Sequence, residues 1–169
     1  MLREIVKYPD PVLERRGEPV TEFDAGLQKL ADDMFESMYA ARGIGLAAPQ
    51  IGISKRLTVI DLSVKENPQE RIVLINPEIT FREGRQVGEE GCLSLPEIRD
   101  KVTRAARVKV RAQDLKGQWF EMEGEELLAR AMQHEIDHLD GILFFRRVSA
   151  LKRDLILRKI RKLQRAGEW

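Results

Sequence analysis

The feature that most constrains this chain is His134-Glu135-Ile136-Asp137-His138, which contains both of its histidines. Two residues scattered at random would stand four apart roughly once in a hundred, so the spacing carries information. On an α-helix, positions i and i+4 share a face about 6 Å apart along the axis, close enough for two imidazoles to converge on one cation. Glu135 beside them puts a carboxylate where it could take a proton from water activated by that ion.

Helix formation is favoured by the run Glu125 to Leu139, which is rich in strong helix formers, lacks proline and is followed by Gly141. Leu127, Leu128, Ala131, His134, Glu135 and His138 fall on one stripe, expected to be buried, with Arg130, Gln133, Asp137 and Asp140 on the opposite side. A carboxylate on a buried face has its charged form disfavoured by desolvation and favoured by a nearby cation, the balance a proton-transfer group needs.

Two imidazoles make an incomplete site. Cys92, the only cysteine, lies in Gly88-Glu89-Glu90-Gly91-Cys92-Leu93-Ser94-Leu95-Pro96. A lone cysteine excludes an internal disulfide and is either inert or a reactive or ligating thiol. Beside a histidine pair lacking a partner, ligation is the better reading, because three protein ligands with one open position define a catalytic cation site. A zinc peptidase with the same helix motif would take a downstream glutamate instead, and the only one after His138 is Glu168, near the chain end.

The 169 residues suit a single domain, 1–169, and the net charge of +1 makes no demand for DNA or another polyanion. No stretch reads as a signal peptide or a membrane span, so a cytoplasmic location is expected. Prolines and glycines punctuate the first twenty residues, leaving one short helix near Val12 to Arg16. Leu27, Leu30, Ala31, Met34, Met38 and Ala41 predict an amphipathic helix from Asp24 to Gly43. Strand patterns follow at Arg56 to Leu62, Ile72 to Phe81, Val102 to Ala106, Val108 to Asp114 and Gln118 to Met122, with a turn at Lys116-Gly117. Residues 149–166 form a last amphipathic helix, with Leu151, Leu155, Ile156, Ile160 and Leu163 among seven lysines and arginines that could meet ribosomal RNA. The pattern predicts an α+β fold: mostly antiparallel strands around a central metal-binding helix, with one helix in the N-terminal half and one at the C-terminus.

Between the first long helix and the first strand lies Gly43-Ile44-Gly45-Leu46-Ala47-Ala48-Pro49-Gln50, apolar, glycine-rich and ended by an amide. It is no phosphate loop, since no Lys-Ser/Thr follows the glycines. Its small residues let a backbone approach a strand or an extended peptide closely, and Gln50 could brace the turn or donate to an oxyanion. Taken together, Gly-Ile-Gly-Leu-Ala-Ala-Pro-Gln, Glu-Gly-Cys-Leu-Ser and Gln-His-Glu-Ile-Asp-His-Leu resemble, in order and spacing, the three signature motifs of the peptide deformylase family. The resemblance implies removal of the formyl group from N-terminal formyl-methionine of nascent polypeptides, with release of formate. By position, Cys92, His134 and His138 would hold the metal, Fe2+ in the family as usually described, with Zn2+, Ni2+ or Co2+ able to replace it. Glu135 would move the proton, and the Gln50 amide and the Leu93 N–H would stabilise the oxyanion. Ile44, Gly45 and Gly91 fall on substrate-binding positions, as do Arg99 toward the peptide's C-terminal side and Leu127 in an apolar methionine pocket with Ile44 and the His134 ring. Glu90 and Arg104 match a supporting ion pair, and Arg130 stands where some members carry an apolar residue.

Overall fold

The computed structural model describes all 169 residues. A five-stranded antiparallel sheet has the order β1-β2-β3-β6-β7, and a separate two-stranded sheet pairs β4 with β5. The strands are β1 (Gly45–Ala47), β2 (Leu57–Ile60), β3 (Ile72–Glu83), β4 (Gln86–Cys92), β5 (Leu95–Arg104), β6 (Arg107–Gln113) and β7 (Trp119–Glu125). Three helices accompany them: α1 (Ala25–Ala40), α2 (Glu126–Leu139) and α3 (Ala150–Arg165).

Alternation along the strands sends side chains to both faces of the larger sheet, and each face is covered by a helix. Leu57, Val59 and Ile75 pack with Leu27, Leu30, Met34, Phe35 and Met38 of α1. Ile60, Leu74, Val108, Val110 and Ala112 pack on the other face with Ala129, Ala131, Met132 and Ile136 of α2. A third apolar cluster joins Leu95, Ile98 and Val102 of β5 to Phe144, Phe145, Ile156 and Ile160. The arrangement is the expected α+β fold with α2 at its centre.

Several boundaries differ from the sequence reading. The stretch around Glu89-Glu90, poor in β-formers, is a full strand, because β4 pairs with β5 from Gln86↔Arg104 to Cys92↔Leu95. Tertiary pairing there overrides local propensity. Helix α2 is not amphipathic in the expected sense. Arg130, Gln133 and Asp137, which fall opposite the stripe expected to be buried, are themselves buried, whereas Leu127 of that stripe is 51% exposed. The β4-β5 hairpin covers the polar side of the helix, and Leu127 in its first turn projects beyond that cover. On α3 only Ile156 and Ile160 are buried, while Leu151 and Leu155 stand exposed.

The start of β1 is held at a polar corner. The Asp61 N–H donates to the Ile44 carbonyl at 2.8 Å. The Asp61 carboxylate, fully buried, accepts from the Tyr39 hydroxyl at 2.5 Å, the Ser63 hydroxyl at 2.6 Å and the Lys65 N–H at 3.2 Å. Burial raises the Asp61 pKa, but the donors from Ser63, Tyr39 and Lys65 outweigh it and hold the group below its ordinary value. A depressed carboxyl stabilises the fold above its unfolded pKa and loses that contribution as pH falls through the folded one. Asp61→Asn should therefore lower the unfolding free energy by roughly 1–3 kcal/mol at pH 7. In urea titrations the gap between variant and wild type should close as pH falls below 4; a gap constant from pH 7 to pH 3 would contradict the assignment.

Candidate active site

Helix α2 presents His134 and His138 one turn apart, and their Nε2 atoms face each other at 3.1 Å. Cys92, at the end of β4, places Sγ 3.4 Å from His138 Nε2. One ligand atom from each residue lies within 4.8 Å of the other two. With bonds of about 2.0–2.1 Å to nitrogen and 2.3 Å to sulfur, a tetrahedral cation would separate N from N by about 3.3 Å and N from S by about 3.6 Å. The two edges that meet at His138 agree within a few tenths of an ångström, and the third is no longer than 4.8 Å, so these three residues fit a divalent ion.

The protonation chemistry points the same way. His134 Nδ1 donates to Glu90 Oε1 at 2.8 Å, which leaves Nε2 turned toward Cys92 and His138. Burial lowers the basicity of His134, but Cys92 and Glu90 raise it well above the ordinary imidazole value. Side chains that favour a positive charge on this ring also favour a cation beside it. His138, by burial first and the charge of His134 second, is held well below the ordinary value and keeps a free lone pair.

Glu135 occupies the remaining side. Its Oε1 is buried and has no hydrogen-bond partner. Burial pushes its pKa up to about 7, and a cation at the neighbouring ligands would pull it back down. The carboxylate lies against β1: a Cβ at Gly45 would come within 2.6 Å of Glu135 Oε2 and 2.9 Å of its Cδ. Position 45 can therefore carry no side chain while Glu135 keeps this place.

Gln50 sits in the short 3-10 turn Ala48–Ile51 after β1. Its Oε1 accepts from the Ala47 N–H at 2.9 Å, which directs Nε2 toward Cys92 Sγ at 3.5 Å and Ser94 Oγ at 3.3 Å. On the turn between β4 and β5, the Leu93 N–H has no backbone acceptor. The N-terminal segment braces both loops, with the Val6 N–H donating to the Gln50 carbonyl and the Tyr8 N–H to that of Ser94. Sequence reasoning missed this segment and Ser94, because main-chain donors leave no side-chain signature.

A cavity of about 560 Å³ opens on these groups and is lined also by Ile44, Gly91, Leu127 and Arg130. Leu127 lies at its edge rather than in a buried wall. Arg99, opposite Gly91 in the hairpin, is exposed at the rim and paired with Glu89 at 2.6 Å.

Behind the site the carboxylate of Glu90 accepts from four groups on three other residues. Arg104 donates from Nε and Nη2 at 2.9 Å each, Arg130 Nη1 at 2.5 Å and His134 Nδ1 at 2.8 Å. Burial alone would raise its pKa, but Arg104 and His134 hold it well below the ordinary carboxylate range. Arg104 also donates to Asp137 at 2.6 Å, and Arg147 to Asp137 at 2.8 and 3.0 Å. The Glu90–Arg104 pair is thus part of a larger network, to which Arg130, Asp137 and Arg147 were not assigned from sequence.

Three ligand atoms spaced for one divalent cation, beside a buried carboxylate able to take and give a proton on an open cavity, are the arrangement of a metallohydrolase. Comparison with known proteins narrows that class. The family model described as polypeptide deformylase matches residues 2–154. The peptide deformylase of Acidobacterium capsulatum is 76% identical over 169 residues, covering 100% of this chain and 99% of that one. That of Thermodesulfovibrio yellowstonii is 54% identical over 158 residues, 94% of this chain and 96% of its own. The crystal structure of a peptide deformylase from Legionella pneumophila superposes with a TM-score of 0.91 at 49% identity, covering 99% of this chain and 98% of that one. The chain belongs to the polypeptide deformylase family, metal-dependent hydrolases that remove the N-formyl group from nascent peptides.

Removing Arg104 would leave two buried carboxylates short of their donors, at a cost of roughly 3–5 kcal/mol. Arg99→Ala, which loses only an exposed pair, should cost no more than about 1 kcal/mol. Equal unfolding free energies for Arg104→Ala and Arg99→Ala would show that the buried network contributes nothing.

Proposed function

We propose that this chain, acting as one catalytic domain, hydrolyses the formamide bond of formyl-methionyl peptides with Cys92, His134 and His138 as metal ligands and Glu135 as the proton-transfer group. When bound, the cation supplies the Lewis acid for the reaction. Glu135 takes the proton of the attacking water and delivers it to the leaving amine nitrogen, so that formate and a free N-terminus result. The Gln50 amide and the Leu93 N–H donate to the oxyanion that develops on the formyl carbonyl, where loss of one donor typically costs two to three orders of magnitude in rate. The peptide adds as a strand beside Ile44 and Gly45, with Gly91 facing it and Arg99 toward its C-terminal side, so main-chain bonds supply affinity without dictating sequence. Its methionine side chain enters the cavity end lined by Ile44, Leu127 and the His134 ring. The observation that carries this reading is the unpartnered, buried Oε1 of Glu135 beside three ligand atoms spaced for one ion.

The donor set suits several divalent ions, and family usage favours Fe2+ over Zn2+, Ni2+ or Co2+. The decisive measurement is formate release from a formyl-Met peptide with metal analysis on the same sample. Glu135→Ala should be folded, metal-loaded and inactive, Cys92→Ala should lose its metal, and anaerobically prepared iron enzyme should turn over faster than the zinc form. A metal-loaded Cys92→Ala protein, or an active Glu135→Ala protein, would sink the assignment.

No helix is long and apolar enough to cross a membrane. We place the enzyme in the cytoplasm, where nascent chains emerge, and propose that α3 docks on the ribosome. Lys152, Arg158, Lys159, Arg161 and Lys162 are all exposed along it. Charge reversal at Arg158, Arg161 and Lys162 should abolish co-sedimentation with ribosomes while formate release from a short peptide persists; unchanged co-sedimentation would remove the docking role.

A further inference from the structure

The side-chain end of the cavity is not wholly apolar. Arg130 lies one turn before His134 on α2, is 6% exposed and lines the same cavity. The two other arginines on that lining, Arg42 and Arg99, are exposed at the rim. Arg130 is held by Glu90 Oε2 at 2.5 Å and the Val102 carbonyl at 3.0 Å through Nη1, and more loosely by the Gln86 carbonyl at 3.4 Å and its Oε1 at 3.5 Å through Nη2. Nε donates to no protein acceptor. A guanidinium carries five N–H donors and cannot lose its charge, so a buried one with an uncommitted N–H is a fixed source of hydrogen bonding.

The opposite strand leaves room for it. A Cβ at Gly88 would stand 3.1 Å from Arg130 Nη2 and 3.2 Å from both Cζ and Nε. The guanidinium therefore lies flat over a residue with no side chain, and position 88 sets how far it can reach. Gly88 has no positive φ, so alanine is compatible with its backbone.

An apolar pocket accepts a thioether but penalises a sulfoxide, whose strongly accepting oxygen would be buried without a donor. A guanidinium N–H in the wall removes that penalty and still tolerates the thioether, a weak acceptor. We infer that the enzyme also deformylates peptides whose first residue is methionine sulfoxide, with Arg130 donating to the sulfoxide oxygen. The inference rests on the deformylase reading and extends its substrate class. The reaction is unchanged: one water is consumed, the formyl C–N bond breaks, and formate and a free amine are released, with no change in the oxidation state of sulfur.

The test compares kcat/KM for formyl-methionine sulfoxide-Ala-Ser and formyl-norleucine-Ala-Ser, the second being an apolar isostere of methionine. Because Arg130 also clamps Glu90, its replacement lowers activity on every substrate, and the sulfoxide-to-norleucine ratio within each protein cancels that loss. The ratio should fall at least about tenfold from wild type to Arg130→Met. It should fall about threefold or more in Gly88→Ala, where the guanidinium is displaced but present. Calorimetric binding of the two deformylated product peptides should rank in the same way. A ratio unchanged in Arg130→Met overturns the inference, whatever the wild-type value. If Arg130→Met fails to fold, an unchanged ratio in Gly88→Ala overturns it. Wild-type protein that hydrolyses neither formyl-methionyl nor formyl-norleucyl peptide refutes the deformylase reading itself, whereas norleucine turnover without the ratio shift removes this inference alone.

Discussion

Burying the carboxylate of Glu90 is the condition on which the rest of the site stands. A lone carboxylate in an apolar interior is prohibitively costly, and this one is retained because Arg104, Arg130 and His134 all donate to it. Those donors come from β5 and from α2, whereas Glu90 itself belongs to β4. Satisfying one charge therefore docks the hairpin on the helix. The same contact fixes the tautomer and orientation of His134, the kind of support that a histidine needs if it is to ligate a metal. Cys92 follows two residues after Glu90, so anchoring that strand also delivers the sulfur to the rings.

The opposite wall is set by sterics rather than charge. Strand β1 approaches α2 so closely at Gly45 that the Glu135 carboxylate occupies the space of a side chain. The Asp61 corner holds the Ile44 carbonyl, and the Gln50 amide closes back on the Ala47 N–H. A short strand and a 3-10 turn thus form one hydrogen-bonded edge beside Cys92, His134 and His138. Preorganisation of this kind lets a donor or a base act without rearranging during the reaction.

Much of this was legible in the linear order of residues. The helix carrying both histidines, the helix from Asp24, the hairpin turning at Lys116-Gly117 and the C-terminal helix follow from periodicity and turn chemistry, which are local properties. Strand β4 was not legible, because its Gly-Glu-Glu-Gly stretch has little strand propensity and forms only when β5 lies beside it. The bracing by Val6 and Tyr8 was equally hidden, since it runs through main-chain groups that every residue possesses.

The sequence by itself determined which donor atoms exist and how far apart they stand along the chain: two imidazoles one helical turn apart, a single thiol, and a carboxylate between the rings. Only the tertiary structure decided which face of α2 is solvent and which is core. It turned Arg130, Gln133 and Asp137 inward, because a hairpin distant in sequence brought partners for their charges and amides. It left Leu127 half exposed at the cavity edge, while Leu128 and Ala129 beside it in the same turn pack into the core. Periodicity distinguishes apolar from polar sides. Whether a polar side is wet or paired depends on what packs against it, which no local pattern contains.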